Sequence, residues 1–280
     1  MTVVDVKQNA AIAREEISVR RRRMNRSLTI HLVQFGILVA ILAIWQFGVS
    51  DASLPYFSRP TIIGQRLIVL LSGTTIYRHI YVTLTEIVSG YVLGAALGLL
   101  LGFVLGRSPF LSAVLQPYIM ALYSIPKIAL APVFIVWLGL GIASKIAVVL
   151  LSSFFLVFFN TYSGLLGVNE EFVRLARLMG ASWTHTLWRV VLPAAAPQIF
   201  IGLKTAVPYA VIGAVIGEYI GANEGLGFFI LYASQTYDVP SLFSGIILLV
   251  SIVFAVNVVL TRIERRIMQW RKVGPQALNI

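Results

Sequence analysis

No cysteine occurs among the 280 residues, which excludes a disulfide framework, a thiolate metal site and a catalytic thiol. Charge is scarce as well: Asp, Glu, Lys and Arg make up 12% of the chain, against about a quarter in soluble domains. Acid is the scarcer sign, with 11 Asp and Glu against 22 Lys and Arg. The three histidines, His31, His79 and His185, are too widely separated to offer a metal-ligand spacing. No G-x-x-x-x-G-K-[ST] run exists to cradle a nucleotide phosphate. Nor do the apolar stretches hold a Ser/His/Asp or His/Glu cluster for nucleophilic or metal chemistry. What is present is apolar: 58% of residues are hydrophobic and mean hydropathy is +0.88, far from the composition of a disordered chain. An all-α, multi-span membrane protein follows.

A helix needs roughly 20 mainly apolar residues to cross about 30 Å of hydrocarbon. Six stretches meet this, at about 28–49, 81–106, 110–138, 144–168, 199–220 and 242–260. The first lacks a small-residue cleavage site and is too long for a signal segment, so it is read as a retained span. With the amino terminus inside and six helices alternating, 16 Lys and Arg fall on the cytoplasmic side. Four, Arg59, Arg66, Arg78 and Lys145, fall outside, with Lys127 and Lys204 within or near the spans. This bias predicts that both termini are cytoplasmic. The run Arg20 to Arg23 then serves as a topology signal and anionic-lipid anchor, and the net charge of +11 does not call for nucleic acid. The expected organisation is a basic, mobile cytoplasmic tail (1–27), a transmembrane domain (28–266) with a cytoplasmic loop at 169–193, and a cytoplasmic carboxy-terminal tail (267–280).

The second span carries Gly90, Gly94, Gly98, Gly102 and Gly106, a four-residue repeat that lets another helix approach backbone to backbone. Glu86 lies one step earlier on the same stripe, so it should face protein, either as a pathway or gating group or as a structural hydrogen bond. The third span is interrupted by Pro117, Pro126 and Pro132. Such backbone is tolerated at membrane depth only inside protein or beside a cavity, so this span should border a translocation path. Its Lys127 either meets an anionic solute, pairs with an acid such as Glu86, or snorkels to an interface. The fifth span holds Pro208, Tyr209, Gly213, Gly217 and Glu218, followed by a glycine-rich outer segment at 221–227. Glu218, near the outer end, either touches a docked protein or is hydrated. Glu86, Tyr123, Lys127, Tyr209 and Glu218 are the candidate path residues. Trp45, Tyr118, Trp137 and Tyr219 read as interface belts.

Between the fourth and fifth spans, Phe172, Leu175, Ala176 and Met179 share one face of a helix, with Glu170 and Arg174 as an i, i+4 pair on the other side. Gly180 can end that helix and Ser182 can cap a second one running to about Val191, before Leu192 and Pro193. Gly180, nine further residues, Val190, one residue, then Leu192-Pro193 resembles the cytoplasmic E-A-A, glycine, isoleucine, leucine-proline motif of membrane subunits of binding-protein-dependent ABC importers. Ala176 stands at the second alanine, while Arg174 and Leu175 replace the glutamate and first alanine. The resemblance runs from the second span to the sixth and includes the 125–132 stretch with Trp137 to Gly141, and Gly217-Glu218 with Gly225-Leu226-Gly227. It points to the nitrate, sulfonate and taurine branch, which includes permeases for thiamine-precursor pyrimidines.

The resemblance implies a type I importer permease fold, a second permease copy, cytoplasmic ABC ATPase subunits and an external solute-binding protein. ATP and Mg would be bound by the ATPase, with no cofactor in this chain. It implies an ATPase-coupling surface at Glu171, Phe172, Arg174, Leu175, Ala176, Arg177, Met179, Gly180, Ala181, Ser182, Val190, Leu192 and Pro193. The implied solute is small, anionic or heterocyclic: a sulfonate, taurine, nitrate or pyrimidine-like molecule. The rival reading, an ion-coupled secondary transporter, calls for inverted repeats and several intramembrane acids, and only Glu86 and Glu218 qualify.

Overall fold

The computed structural model describes residues 29–269, so the basic run Arg20 to Arg23, the tail 1–27 and nearly all of the tail 267–280 lie outside the described residues. Two compact units divide the chain, Met1–Gln65 and Arg66–Ile280. The first contains α1 (Thr29–Gly48), long and apolar enough to cross a membrane. Arg59 there bridges Asp51 at 2.8 Å and donates to the Val49 carbonyl. A short apolar helix, α2 (Pro60–Ser72), crosses the boundary between the units.

The second unit is built on three long helices: α3 (Thr75–Arg107), α6 (Ile142–Leu166) and α8 (Trp183–Gly221). α6 packs on α3 by one face and on α8 by another. The glycine repeat explains the first contact. A Cβ on Gly90 would stand 2.5 Å from Val149 Cβ, on Gly98 2.8 Å from the Phe154 carbonyl, and on Gly102 2.9 Å from that of Phe158. Only glycine permits that approach. On an adjoining face, Gly202, Gly213 and Gly217 of α8 press on Asn160, Ser152 and Lys145.

The third apolar stretch is not one rod. α4 (Pro109–Ser124) and α5 (Lys127–Leu138) meet at 90°. Ile125, preceding Pro126, is extended, as crowding by the proline ring demands. Gly139 closes α5 at φ +80°. The described residues thus hold five spanning helices, or six with the bent pair counted as one. Two short apolar helices, α2 and α9 (Leu226–Gln235), were not foreseen, and α10 (Val239–Ile267) completes the unit. The segment at 221–227 therefore leads directly into a helix.

The cytoplasmic-motif region departs most from expectation. α7 (Glu170–Leu178) is present, but the second short helix does not end before Leu192-Pro193. It continues as α8 through one π turn, Leu187–Val191. Pro193 cannot donate to the carbonyl four residues back, at Arg189, and its ring crowds that position. Widening the turn relieves this, and Pro193 then occupies the first turn of the α-helical stretch, where no donor is needed.

Candidate functional site

The loop between α6 and α8 is ordered by local chemistry. Asn169 caps α7 by accepting from the Glu171 amide at 2.8 Å. At the other end, Ala181 N donates to Ala176 O and Gly180 N to Arg177 O, with Gly180 at φ +82°. This is a Schellman closure, which favours glycine at the left-handed position. Ser182 then caps α8 by accepting from His185 N. Val173, like Phe103, packs against the cluster of Leu165, Leu187, Val191 and Ala195 and seats α7 on the base of the bundle. Arg107, ending α3, lies 4.8 Å over the Trp183 ring.

The large apolar side chains of α7 and of Met179, its C-cap, point away. Phe172 is 61% exposed, Leu175 55%, Leu178 81% and Met179 80%. Glu171, Arg174, Arg177 and Ser182 are exposed beside them, Ala176, Ala181, Val190, Leu192 and Pro193 half-buried. Glu170 and Arg174 form no ion pair within 4.0 Å, a correction to the sequence reading. Such pairs are worth only a few tenths of a kcal/mol in water, too little to hold two long side chains. Leu178 and the 68% exposed Trp188 were missed. Leu178 follows Leu175 by three residues, so the apolar stripe was open to extension.

At the other end of α8 the chemistry is inverted. Glu86 and Glu218 are 0% and 1% exposed. Lys145 Nζ lies 3.6 Å from Glu86 Oε1, so the partner of Glu86 is Lys145 and not Lys127. Glu218 is neither hydrated nor on the surface: Thr83 donates to its Oε1 at 2.6 Å, and the amides of Gly227 and Phe228 donate to its Oε2. Leu226 N donates to Thr83 Oγ1 at 2.7 Å and Gly225 N to His79 Nδ1 at 3.0 Å. His79 was set aside in sequence because it has no metal-like neighbours; its role is as an acceptor. Outside the spans, Glu224 pairs with Arg78 at 2.7 Å, and that hydrogen bond holds its carboxyl below the usual range.

The candidate path residues thus separate. Glu86 and Glu218 belong to this buried cluster. Tyr123 and Lys127 lie at the α4–α5 bend, where Lys127 Nζ sits 4.1 Å over the Tyr123 ring and 5.3 Å over that of Phe155. Tyr123 meets Phe155 and Phe159 edge-on. Among the described residues, no hydrogen bond, ion pair or ring contact joins the half-exposed Tyr209 to either group.

Residues 94–269 match the family described as the binding-protein-dependent transport system inner membrane component. The chain belongs to this family. The permease is 34% identical to the formylaminopyrimidine transport permease protein ThiX of Halalkalibacterium halodurans, over 83% of this chain and 93% of that protein. It is 30% identical to the putative aliphatic sulfonates transport permease protein SsuC of Bacillus subtilis, over 82% and 84%. With the taurine permease TauC of Escherichia coli it shares 27% over 93% and 98%. Its fold is that of the MetNI methionine ABC transporter in inward-facing conformations, with TM-score 0.61 and 22% identity over 69% of this chain and 95% of that one. The permease is therefore a multi-pass component of an ABC importer in the bacterial inner membrane.

Proposed function

We propose that the permease works as one of two identical copies forming the pathway of an ATP-driven importer, and that its 169–193 loop is the site at which cytoplasmic ATPase subunits dock. In this reading both termini and the loop are cytoplasmic, ATP and Mg are held by the ATPase, and an external binding protein delivers the solute. The observation that carries the docking assignment is the apolar face of α7. It is held rigid by the Asn169 cap, the Gly180 closure and the Val173 anchor, yet turned outward. An exposed patch of large apolar side chains on a fixed helix suits a hydrophobic groove on a partner. Glu171, Arg174 and Arg177 would form the polar rim of that contact. The solute class suggested by the relatives is a small sulfonate, taurine, nitrate or pyrimidine-like molecule. Tyr123, Lys127 and Tyr209 are the residues we place along its path.

The test is co-purification of the full permease from native membranes in mild detergent, with partners identified by mass spectrometry. Stoichiometric ATPase is expected with the parent chain, and at least about tenfold less with Leu178→Ser combined with Met179→Ser, since burial of two such side chains is worth over 1.4 kcal/mol. Recovery of the intact chain without any ATPase, or with undiminished ATPase in the double variant, overturns the assignment.

A further inference from the structure

The start of α9 has no cap of its own. Its N-cap residue is Gly225, which has no side-chain oxygen to offer the first helical amides. Four successive amides, Gly225 to Phe228, are nevertheless satisfied by side chains of two other helices: His79 and Thr83 of α3, and Glu218 of α8. A helix amino terminus favours an anion, and here the protein fills that position with its own carboxylate. The fit is close. Gly225 stands at φ +117°, and a Cβ on it or on Gly227 would overlap the Glu218 carboxyl. Glu218 is carried by α8, a helix of 39 residues whose other end is the Ser182-capped start beside α7. At 1.5 Å per residue its contour is about 58 Å.

We propose that Glu218 is a positioning residue of the transport cycle: it fastens the amino end of α9 to α8, so that motion entering at the cytoplasmic loop carries α9 as an outer barrier. This rests on the ATPase-docking reading above, which places the Gly221 end of α8 outside. The capture fixes the amino end of α9 to α3 and α8, while farther along the helix Phe229 and Ile230 pack against Gly245 of α10. Tyr91 and Lys204 tie α8 to α3 and α10 nearer its middle, through the Leu203 carbonyl and Glu264. Neither reaches α9. A purely static role for Glu218, satisfying buried amides and no more, makes a different prediction, because α9 would then respond to ATP through its other contacts.

The absence of cysteine allows single thiols to be introduced as reporters. Gln235→Cys, exposed at the far end of α9, and His185→Cys, exposed at the start of α8, are placed separately in the full importer reconstituted with its ATPase and binding protein. Maleimide labelling rates are compared without nucleotide and with ATP and vanadate. At both positions the rate should change at least about fivefold, a typical coupling between distant sites. Adding Glu218→Ala should reduce the change at position 235 below about twofold while leaving that at 185. Glu218→Gln, which keeps a carbonyl acceptor, should restore most of it. A response at 235 that survives Glu218→Ala, or is absent from the parent while 185 responds, overturns the proposal. No response at either position sinks the docking reading along with it. If Glu218→Ala fails to insert, Thr83→Val removes both the Leu226 link and the hydroxyl that donates to Glu218, and an unchanged response at 235 in that variant overturns the proposal equally.

Discussion

The two ends of α8 are built on opposite terms. Beside its start, Phe172, Leu178 and Met179 hold large apolar surface outside the bundle. Near its finish, Glu86, Lys145 and Glu218 place ionisable side chains inside it. Each is unfavourable alone, and the remedies differ. Buried carboxyl oxygens of Glu218 are matched by donors already present in the chain, and Glu86, which accepts no hydrogen bond, faces the Lys145 ammonium at 3.6 Å, so that end is answered from within. Exposed side chains on α7 find no such answer among the described residues, and in the docking reading a partner covers them. Substitutions at the Glu218 end should therefore register in the stability of the isolated chain, and substitutions at the α7 end in what the chain does with others.

The sharpest break in this comparison is Gly180→Val. A β-branched residue at φ +82° costs about 1–3 kcal/mol, enough to open the Schellman turn and release α7. Uptake and stimulated ATP hydrolysis should fall by more than about tenfold, while the amount of chain in the membrane stays the same. Solute uptake and immunoblotting read both, and normal uptake at normal level would remove α7 from the coupling role. Gly225→Ala is the matching change at the other end. Strain at φ +117° and overlap with Glu218 should cost about 1–3 kcal/mol, lowering the midpoint in detergent by several degrees. ATPase co-purification should be unaffected; a loss of partner with an unchanged midpoint would reverse the comparison. The smallest effect is expected at the half-buried Glu224. Its folded pKa is depressed by Arg78, so the pair contributes stability above the ordinary carboxylate value and loses it as pH falls through the lower folded value. Melting curves of Glu224→Gln and the parent should differ slightly at neutral pH and converge in acid. A gap that widens in acid would contradict the sign.

Periodicity made part of this legible. A glycine every fourth residue announces a close helix contact, and Gly90 to Gly106 make one along their whole length. It does not name the partner, and nothing in a local pattern could point to α6. The Gly180 turn and the exposed stripe of α7 were readable for the same reason: both are decided within a few residues of chain. Residues whose surroundings come from far away were misread. Glu86 pairs with Lys145, 59 positions on, and not with Lys127, because the glycine contact fixes α3 against α6. Glu218 was read as hydrated or in touch with a docked protein from its place near a span's end, yet α9 folds back over it and delivers two amides. Pro193 was read as a stop because proline usually is one, and a single widened turn let the helix run on.

The bend between α4 and α5 sets a limit on reach. At 1.5 Å per residue, 16 residues extend about 24 Å and 12 about 18 Å, and neither alone covers the roughly 30 Å of a hydrocarbon layer. Set at 90°, the two cannot both point along the membrane normal. At least one of them must lean about 45° or more from the normal, like a tilted sill, and only neighbouring helices can seal the thickness it leaves open. The corner at Ile125 and Pro126 is already without helical hydrogen bonding, because Pro126 has no amide hydrogen and Ile125 donates only to Leu122 O, at 3.3 Å. Swinging the sill about that corner breaks no further rung of either helix.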